Sequence, residues 1–421
     1  MAKKSAVNKL SQHGVDEVPT NWHISKVKYL GYYINGYPFK PTDWSLTGRP
    51  ILRIQNLTSP EGEPNRYDDE IPSRYLVRKG DLLISWSASL GIFRWEGEEA
   101  WLNQHIFKVI VNEEKLDSGY FFWLADWFIR EMAREVHGST MQHLTADAFG
   151  GFPVLIPPST VQKQLTKYLD SEISRIDGLV AKKDELISLL FEKRQALIYN
   201  AIFGRGKSQT TVKDTFVEWI GQIPTHWKVE RSKWLFSERN ERSETGQEDM
   251  MTVSHLTGVT LRSEKEVNMF EAETNEGYKI CEEGDLVINT LWGWMGAMGT
   301  SPQKGIVSPA YHVYKPISDL YPGYIDAIVR LPVFAKEVTK YSKGVWSSRL
   351  RLYPDGFYEV YFPVPPYNEQ LEIVDHIKTQ TKQIDALSNA AQRSIVLLKE
   401  RRAELITSIV TGKFKPQSND H

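Results

Sequence analysis

The sequence predicts an α+β protein with two tandem mixed α/β domains, each followed by a long helix. Three observations predict it: an internal repeat, strand-like segments broken by glycine and proline, and two long stretches of helical periodicity. In the repeat, Val18–Trp22 returns 205 residues later as Ile223–Trp227, and Gly80–Ile84 returns 204 residues later as Gly284–Ile288. A repeat near half of the 421 residues indicates two copies of one unit, because solenoids repeat every ~20–50 residues.

The globular part of the first copy extends from Trp22 to about Pro158 and is broken repeatedly by glycine and proline. Within it, Asp81–Trp86 is a short apolar run opened by Gly-Asp, which is typical of a buried strand. A helix is predicted over 119–136, and its counterpart in the second copy over 323–341. Each copy therefore begins as a mixed α/β globule, with a twisted, partly antiparallel sheet and flanking helices.

Beyond each globule, apolar residues recur at alternating spacings of three and four until Gly204 and Gly412 close the two stretches. This spacing predicts two long helices with a coiled-coil or bundle seam. The seam positions are Ile173, Ile176, Val180, Ile187, Leu190, Leu197 and Ala201 in the first copy, and Ile384, Ser388, Ala391, Ile395, Leu398, Leu405 and Ile409 in the second. Parallel and antiparallel packing both remain open, and antiparallel packing would relate the copies by a pseudo-twofold axis.

Two further features of the helices bear on function. From Ile176 to Gly204 a helix extends about 43 Å at 1.5 Å per residue, which is close to the ~34–36 Å between DNA half-sites one turn apart. Arg194 and Arg402 occupy the same seam position in the two copies. We interpret them as snorkelling at the edge of the seam; the alternative is that they specify register or partner.

The two copies have diverged unevenly. Their helices align without a gap at a shift of 208 residues, whereas the segments between the shared motifs have little in common. We therefore expect a common scaffold carrying two different readers. The predicted divisions are a polar N-terminal leader (1–17), a first globular domain (18–158), a central helix (159–205), a linker with the second globular domain (206–366), a C-terminal helix (367–413) and a tail (414–421).

Composition limits the possible functions. The net charge is −2, from 51 Lys and Arg against 53 Asp and Glu, so DNA binding would need locally concentrated positive charge. Cys281 is the single cysteine, which excludes an intramolecular disulfide and a thiolate zinc cluster. No apolar run approaches the ~18 residues of a membrane span, and the basic start lacks the apolar segment of a secretory signal. We expect a cytoplasmic protein without a membrane partner.

Several ordered motifs together resemble the specificity subunit of Type I restriction–modification systems. They are Val217–Trp227 (Val-Glu-Trp-Ile-Gly-Gln-Ile-Pro-Thr-His-Trp), the Gly-Asp pairs at 80–81 and 284–285, Gly138–Thr140, Pro365–Gln370 (Pro-Pro-Tyr-Asn-Glu-Gln) and Ala403–Gly412. The resemblance covers about residues 14–413. Two positions depart from the pattern: the opener of the first copy, Asp16–Pro19, lacks Trp-Ile-Gly, and Val161 replaces the glutamate before Gln162.

The resemblance implies that each globule is a target recognition domain and that the helices pair as an antiparallel coiled coil with pseudo-twofold symmetry. It also implies double-stranded DNA and two methyltransferase subunits as partners, with restriction subunits (nuclease and translocase) where present. S-adenosylmethionine would be bound by the methyltransferase partner, which methylates adenine N6, and ATP and Mg would serve a nuclease partner. No cofactor is expected in this chain.

The chain carries no convincing catalytic motif. An adenine methyltransferase needs Asn/Asp-Pro-Pro-aromatic to hold the flipped base, and Val364–Tyr367 (Val-Pro-Pro-Tyr) has valine at the polar position. Phe149–Phe152 lacks the spacing of a nucleotide-binding glycine loop. His105 and His143 are interpreted as hydrogen-bonding surface residues, because no second ligand sits at metal-binding spacing. We therefore predict a subunit with neither a catalytic site nor a metal site.

Three pairs of segments are candidates for DNA contact, because they combine amides, hydroxyls and cations with aromatic residues. One pair follows the Gly-Asp strands, one lies at 103–105 against 308–310, and one lies at 137–144 against 341–351. The candidates are Ser85, Trp86, Ser87, Asn103, Gln104, His105, Ser139, Thr140, Gln142 and His143 in the first copy, and Asn289, Thr290, Trp292, Lys340, Lys343, Trp346, Ser347, Ser348, Arg349 and Arg351 in the second. The aromatic members have an alternative role in the domain cores.

The resulting prediction is a non-catalytic DNA reader and scaffold that recognises a bipartite, asymmetric site. Two alternatives remain open. One is the specificity chain of a Type IIB-like restriction enzyme, which would cut on both sides of its site. The other is a coiled-coil interaction protein without any dependence on DNA. The target bases and the spacer length cannot be derived from the sequence, because base readout depends on side-chain geometry.

Overall fold

The computed structural model describes residues 10–15, 17–58, 62–87, 89–136, 146–205, 211–264, 274–344 and 350–414. The chain forms two compact units. Unit one comprises Met1–Lys183 and Arg393–His421, and unit two comprises Asp184–Gln392. The central helix, Ser159–Ile202, and the C-terminal helix, Tyr367–Val410, each contribute one part to each unit.

Unit one contains a four-stranded antiparallel sheet whose strand order is not the chain order. Its strands are, in spatial order, Gly31–Asn35, Ile106–Val111, Leu82–Ser85 and Gly91–Arg94. A second sheet has the order Arg66–Tyr67, Arg49–Leu52, Ala100–Leu102 and Leu76–Val77, and His23–Lys26 pairs with Pro153–Ile156. Further α-helices of this unit include Ile54–Thr58, Ser118–Val136 and Ala146–Gly151.

Unit two repeats the four-stranded antiparallel sheet with the same topology. Its strands are, in spatial order, Phe236–Glu238, Tyr311–Pro316, Leu286–Asn289 and Met298–Thr300. The strand pairs are Val212–Asp214 with Gln222–Pro224, Lys228–Arg231 with Tyr361–Val364, Met251–Ser254 with Gly258–Leu261, and Lys279–Cys281 with Gly305–Val307. The shorter helices are Ser232–Leu235, Pro322–Val329, Pro332–Lys340 and Pro354–Phe357. The predicted mixed α/β character is confirmed.

The Gly-Asp pair before the central strand of each sheet shapes a turn. Gly80 has φ +92° and Gly284 has φ +85°, a conformation that side chains beyond glycine rarely adopt. Asp81 Oδ2 accepts a hydrogen bond from the backbone N–H of Arg78 at 2.7 Å. Asp285 Oδ2 accepts the equivalent bond, from the N–H three residues earlier, at 2.8 Å. This motif is therefore explained by local backbone geometry.

One of the predicted helices is interrupted in the structure. The first copy has a continuous helix, Ser118–Val136, but its counterpart is divided into Pro322–Val329 and Pro332–Lys340. Proline cannot donate the backbone hydrogen bond that would continue the first helix, and it favours an extended conformation in the residue before it. Leu331 accordingly has φ −70° and ψ 136°. The prediction of one helix over 323–341 is wrong.

The described part of the predicted polar leader belongs to the core of unit one. Leu10 and Val15 are buried together with Ile406 and Ile409, near the end of the C-terminal helix. The ring of His13 is also buried and packs against Phe152. Residues 10–15 of the predicted polar leader (1–17) therefore pack as part of unit one.

The glutamine near the start of each long helix fastens that helix to its globule. Gln162 Oε1 accepts a hydrogen bond from the backbone N–H of Asp117, and Gln370 Oε1 accepts one from the N–H of Tyr321, at 2.7 and 2.8 Å. In both copies the amide nitrogen donates to the carbonyl of the first proline of the Pro-Pro pair, at 2.9 and 3.0 Å. Both side chains are buried. The motif glutamines are therefore structural.

We expect Gln370→Leu to destabilise the protein by about 3 kcal/mol. An unsatisfied buried polar group costs ~1–3 kcal/mol, and the substitution leaves the backbone groups that bond to the Gln370 amide without a partner. Urea unfolding monitored by circular dichroism measures the change. Gln383→Leu, at an exposed position of the same helix, is the matched control. Equal unfolding midpoints for the two variants would contradict the structural role.

The seam arginines are paired within each unit. Arg402 Nε donates to Asp177 Oδ1 at 3.2 Å in unit one, and Arg194 Nε donates to Asp385 Oδ1 at 2.9 Å in unit two. These ion pairs are equivalent, since both arginines and both aspartates are 208 residues apart. The structure thus favours the register role over simple snorkelling.

Candidate DNA interface

The polar residues that end the central strand of each sheet are buried. Ser85 is fully buried, and its hydroxyl donates to the carbonyl of Ser89. Ser87 is buried as well. Asn289 Nδ2 donates to the Tyr311 hydroxyl at 3.1 Å. As placed, none of these predicted contacts presents its side chain to DNA.

Thr290 directly follows the central strand of the unit-two sheet and is also buried. Its hydroxyl donates to the carbonyl of Ala310, in the segment that corresponds to 103–105 of the first copy. The backbone carbonyl of Thr290 accepts a hydrogen bond from the N–H of Leu352 at 3.2 Å. Thr290 therefore holds three segments of unit two together instead of reading a base.

In unit one, the structure brings two of the predicted segments together. The ring of Trp86 lies 5.3 Å from that of His105 and stacks on Phe107 at 5.8 Å with an interplanar angle of 27°. Gln104 Nε2 is 3.3 Å from His105 Nε2. Trp86, Asn103, Gln104 and His105 are partly exposed. We call these four residues the first patch; it offers amide and imidazole groups beside an aromatic surface.

Asn35 supports the first patch and was not among the predicted residues. Its Oδ1 accepts a hydrogen bond from Trp86 Nε1 at 3.2 Å. The next residue, Gly36, lies so close to Asn103 that an added Cβ would be 2.1 Å from the Asn103 carbonyl oxygen. A glycine after a polar strand end was the available sequence signal, because it marks close backbone approach.

In unit two, a different set of residues occupies the turn after the central strand. Trp292 is 49% exposed and stacks on Trp294, with ring centroids 6.5 Å apart. Lys343 and Arg351 exchange two backbone hydrogen bonds, each of 2.9 Å. The Leu352 N–H bond to Thr290 joins this backbone pair to the tryptophan turn. We call Trp292, Trp294, Lys343 and Arg351 the second patch.

The cations of the second patch are available for DNA. Arg351 is exposed, and none of the described carboxylates is within ion-pair distance of it. Lys343 Nζ is paired with Asp355 and holds the pKa of that carboxyl below its usual value. Both side chains of this pair are exposed, so the interaction is weak and a phosphate can replace the carboxylate.

Lys340 differs from these cations. Its Nζ contacts Glu218 at 2.9 Å and Glu337 at 2.8 Å, and these carboxylates raise its pKa. Glu337 is buried. In the first copy, Arg134 and the buried Glu131 form the same pair, 206 residues earlier, at 2.7 Å. The predicted DNA contact of Lys340 is therefore replaced by a structural ion pair.

The remaining predicted contacts fall outside the described residues. They are Ser139, Thr140, Gln142 and His143 of the first copy, and Trp346, Ser347, Ser348 and Arg349 of the second. Across the described ranges, no group of three or more His, Cys, Asp or Glu side chains is placed to hold a metal ion. No helix within those ranges combines the length and apolarity needed to cross a membrane.

Comparisons with known proteins show which class of protein the chain resembles. A family model described as the Type I restriction modification DNA specificity domain matches residues 20–187. The chain is 20% identical over 440 residues to the Type I restriction enzyme EcoBI specificity subunit of Escherichia coli, covering 96% of this chain and 89% of that protein. It is 24% identical over 226 residues to the MjaVIII specificity subunit of Methanocaldococcus jannaschii, covering 52% and 50% of the two chains.

The fold is also found among solved structures. A chain from a structural study of complex assembly and conformational transition in the type I restriction–modification system superposes with a TM-score of 0.69. The match covers 94% of this chain and 100% of that one at 14% identity. The resemblance to Type I specificity subunits is thus confirmed. The prediction that the chain is not itself an enzyme agrees with these relatives, which are specificity subunits.

Proposed function

We propose that the chain reads a bipartite, asymmetric DNA site, with one half-site for each unit. The observation that carries this proposal is the pair of patches on a repeated sheet topology. The first patch offers amides, an imidazole and an indole, whereas the second offers two indoles and two cations. Because different groups read different base edges, the two units would recognise unrelated half-sites.

We further propose that the central and C-terminal helices pair as an antiparallel coiled coil that sets the half-site spacing. Within unit one, Tyr168 packs against Phe414 at 6.1 Å, while Asp177 pairs with Arg402. Sequence number thus rises along one segment as it falls along the other, which is the order that antiparallel packing requires. The repeated ion pair of unit two supports the same register.

The helices and globules would also form the frame on which two adenine-N6 methyltransferase subunits dock. S-adenosylmethionine would be bound by those subunits, and a nuclease and translocase subunit using ATP and Mg could join them. This chain contributes recognition and positioning. Its net charge of −2 gives little non-specific attraction to DNA, so we expect tight binding only in the assembled complex.

Mapping of methylated adenines tests the proposal. DNA from cells that express this chain with its methyltransferase partner should carry N6-methyladenine in one gapped, asymmetric motif. Cells that express the partner alone are the control and should lack the mark. Methylation of a contiguous palindrome would overturn the two-reader proposal.

Trp86→Ala should reduce methylation at this motif about 10-fold, since losing a stacked aromatic contact costs about 0.5–1.5 kcal/mol and also removes the support of His105. The methylated fraction per site, read by single-molecule sequencing, measures it. Trp95→Ala, outside the patch, is the control. An unchanged fraction in the Trp86 variant would exclude the first patch from recognition.

A further inference from the structure

The helix that follows the sheet crosses the start of a long helix at an equivalent glycine in both units. A Cβ added to Gly119 would lie 2.5 Å from Cγ2 of Thr166, and one added to Gly323 would lie 3.3 Å from Cγ1 of Val374. These glycines are 204 residues apart, and their neighbours are 208 apart, as in the rest of the repeat. The residues one helical turn beyond each crossing can therefore be compared directly.

In unit one, the space beyond the crossing is filled by the chain itself. Trp123 is buried there, and its Nε1 donates to Asp170 Oδ1 at 2.8 Å. The guanidinium of Arg402 lies over the indole, 5.9 Å from the ring centroid. Arg402 Nη1 is also 3.8 Å from Asp126 Oδ1. An aromatic ring, an acceptor and a covering arginine thus complete this site.

In unit two, the equivalent residues leave the space open. Ala327 stands where unit one has Trp123, and Lys378 stands where it has Asp170, whereas the arginine is retained as Arg194. The result is a groove with a volume of about 680 Å³. Its apolar lining includes Phe191, Ile198, Ala327, Leu331, Met295 and Ile377. We call this the unit-two groove.

The rim of the unit-two groove is positively charged. Arg194, Arg330, Lys336 and Lys378 line it, and Asp326 is the one carboxylate among the described lining residues. Arg330 is committed to Asp326 at 3.4 Å. Lys336 and Lys378 are exposed, and no carboxylate of the described residues pairs with either. The groove therefore combines an apolar floor with uncompensated positive charge.

The apolar content extends onto the surface beside the groove. Phe191, Leu256 and Met295 line the groove and are all among the exposed large hydrophobic residues of the chain. Contiguous exposed apolar surface rimmed by polar residues marks interaction sites. Aromatic side chains are the usual anchors that fill such pockets at protein interfaces.

We propose that the unit-two groove binds an acidic helical segment of a partner protein, whose aromatic side chain takes the place that Trp123 holds in unit one. The indole or phenyl ring would lie against Arg194, and carboxylates would meet Lys336 and Lys378. DNA fits less well, since phosphates would engage the cations but leave the apolar floor exposed to water. The proposal rests on the proposed assembly with methyltransferase subunits, which supply the partner segment.

The two docking positions on this frame are consequently unequal. Unit one has its groove filled by Trp123, so only unit two can receive an aromatic anchor there. We expect the two methyltransferase subunits to bind in separate steps, with affinities that differ at least 10-fold.

Titration calorimetry of the full chain with the methyltransferase subunit of the same system tests this inference. Ala327→Trp with Lys378→Asp rebuilds the filled site of unit one and should weaken one binding step at least 10-fold. Lys336→Glu with Lys378→Glu changes only exposed side chains and should weaken the same step. Lys315→Glu, an exposed lysine of the sheet, is the charge control and should bind like the unaltered chain.

The possible outcomes test the docking site in the unit-two groove separately from the proposed assembly with methyltransferase subunits. Two unchanged binding steps in both groove variants, with folding verified by thermal unfolding, would overturn the docking site and leave the proposed assembly intact. A loss of DNA affinity in gel-shift assays with unchanged subunit binding would assign the groove to DNA and also overturn it. If the unaltered chain binds no methyltransferase subunit, the proposed assembly fails, and this inference fails with it.

Discussion

Replacing Lys343 and Arg351 together with alanine should abolish recognition of one half-site while recognition of the other remains. An arginine that reads a base contributes about 1–3 kcal/mol of discrimination, and a lysine–phosphate contact adds salt-dependent affinity. The combined loss corresponds to roughly 100-fold weaker binding, since each 1.4 kcal/mol is tenfold. The slope of log affinity against log salt should also become shallower by about one unit for each lost phosphate contact.

Competition binding with the assembled methyltransferase measures this effect. Duplexes that carry the full motif, or the motif with one half-site scrambled, are compared for the altered and unaltered chains. The altered chain should no longer distinguish the full motif from the duplex with the unit-two half-site scrambled. Lys315→Ala removes one positive charge from an exposed position elsewhere in unit two and should leave discrimination unchanged. Retained discrimination in the double variant would exclude the second patch from readout.

The repeat explains why much of the fold was predictable. The same offsets that relate the motifs also relate the hydrogen bonds of Gln162 and Gln370 and the ion pairs of Arg402 and Arg194. Two independent occurrences of one pattern show which residues the scaffold requires. Periodicity also predicted both long helices, because their apolar spacing persists over many turns. Proline at 332 was a visible exception, since it breaks the helix of the second copy only.

The residues that contact DNA were harder to predict than the fold, because the exposure of a side chain depends on residues that are far from it in sequence. Ser85 and Asn289 were predicted to contact DNA, yet each is the last residue of a strand and is buried. Lys340 was likewise predicted to contact DNA. Its charge is in fact paired with Glu218, which is 122 residues away in sequence. Composition near a residue does not reveal such long-range partners.

The structure also explains why the motif glutamate can be replaced by Val161 in the first copy. Glu369 accepts hydrogen bonds from His226 at 2.6 Å and from Trp227 at 3.1 Å, which joins the opener of the second copy to its long helix. The first copy has Val161 at the corresponding position, and Val161 and Trp22 both pack against the core of unit one. A polar link in one copy is thus replaced by apolar packing in the other, so the divergence leaves the scaffold intact.

Inserting four residues after Leu190 and four after Leu398 should lengthen the spacer of the methylated motif without changing either half-site. These positions are equivalent in the repeat, and each lies between the two residues of its helix that form the ion pairs. Four residues extend a helix by about 6 Å. This length corresponds to roughly two base pairs at a DNA rise of ~3.4 Å per base pair. An insertion of four is a stutter that unwinds a coiled coil locally and keeps its seam.

The proposed antiparallel arrangement makes the double insertion different from a single one. With both insertions, Asp177 still meets Arg402 and Arg194 still meets Asp385, because each ion pair joins a residue before one insertion to a residue after the other. With one insertion alone, the two helices differ in length between the pairs, so one pair and its apolar neighbours must lose register. Methylation mapping should therefore show a longer spacer for the double variant and weak or absent methylation for either single variant. An unchanged spacer in a stably folded double variant would show that another part of the complex sets the distance between half-sites.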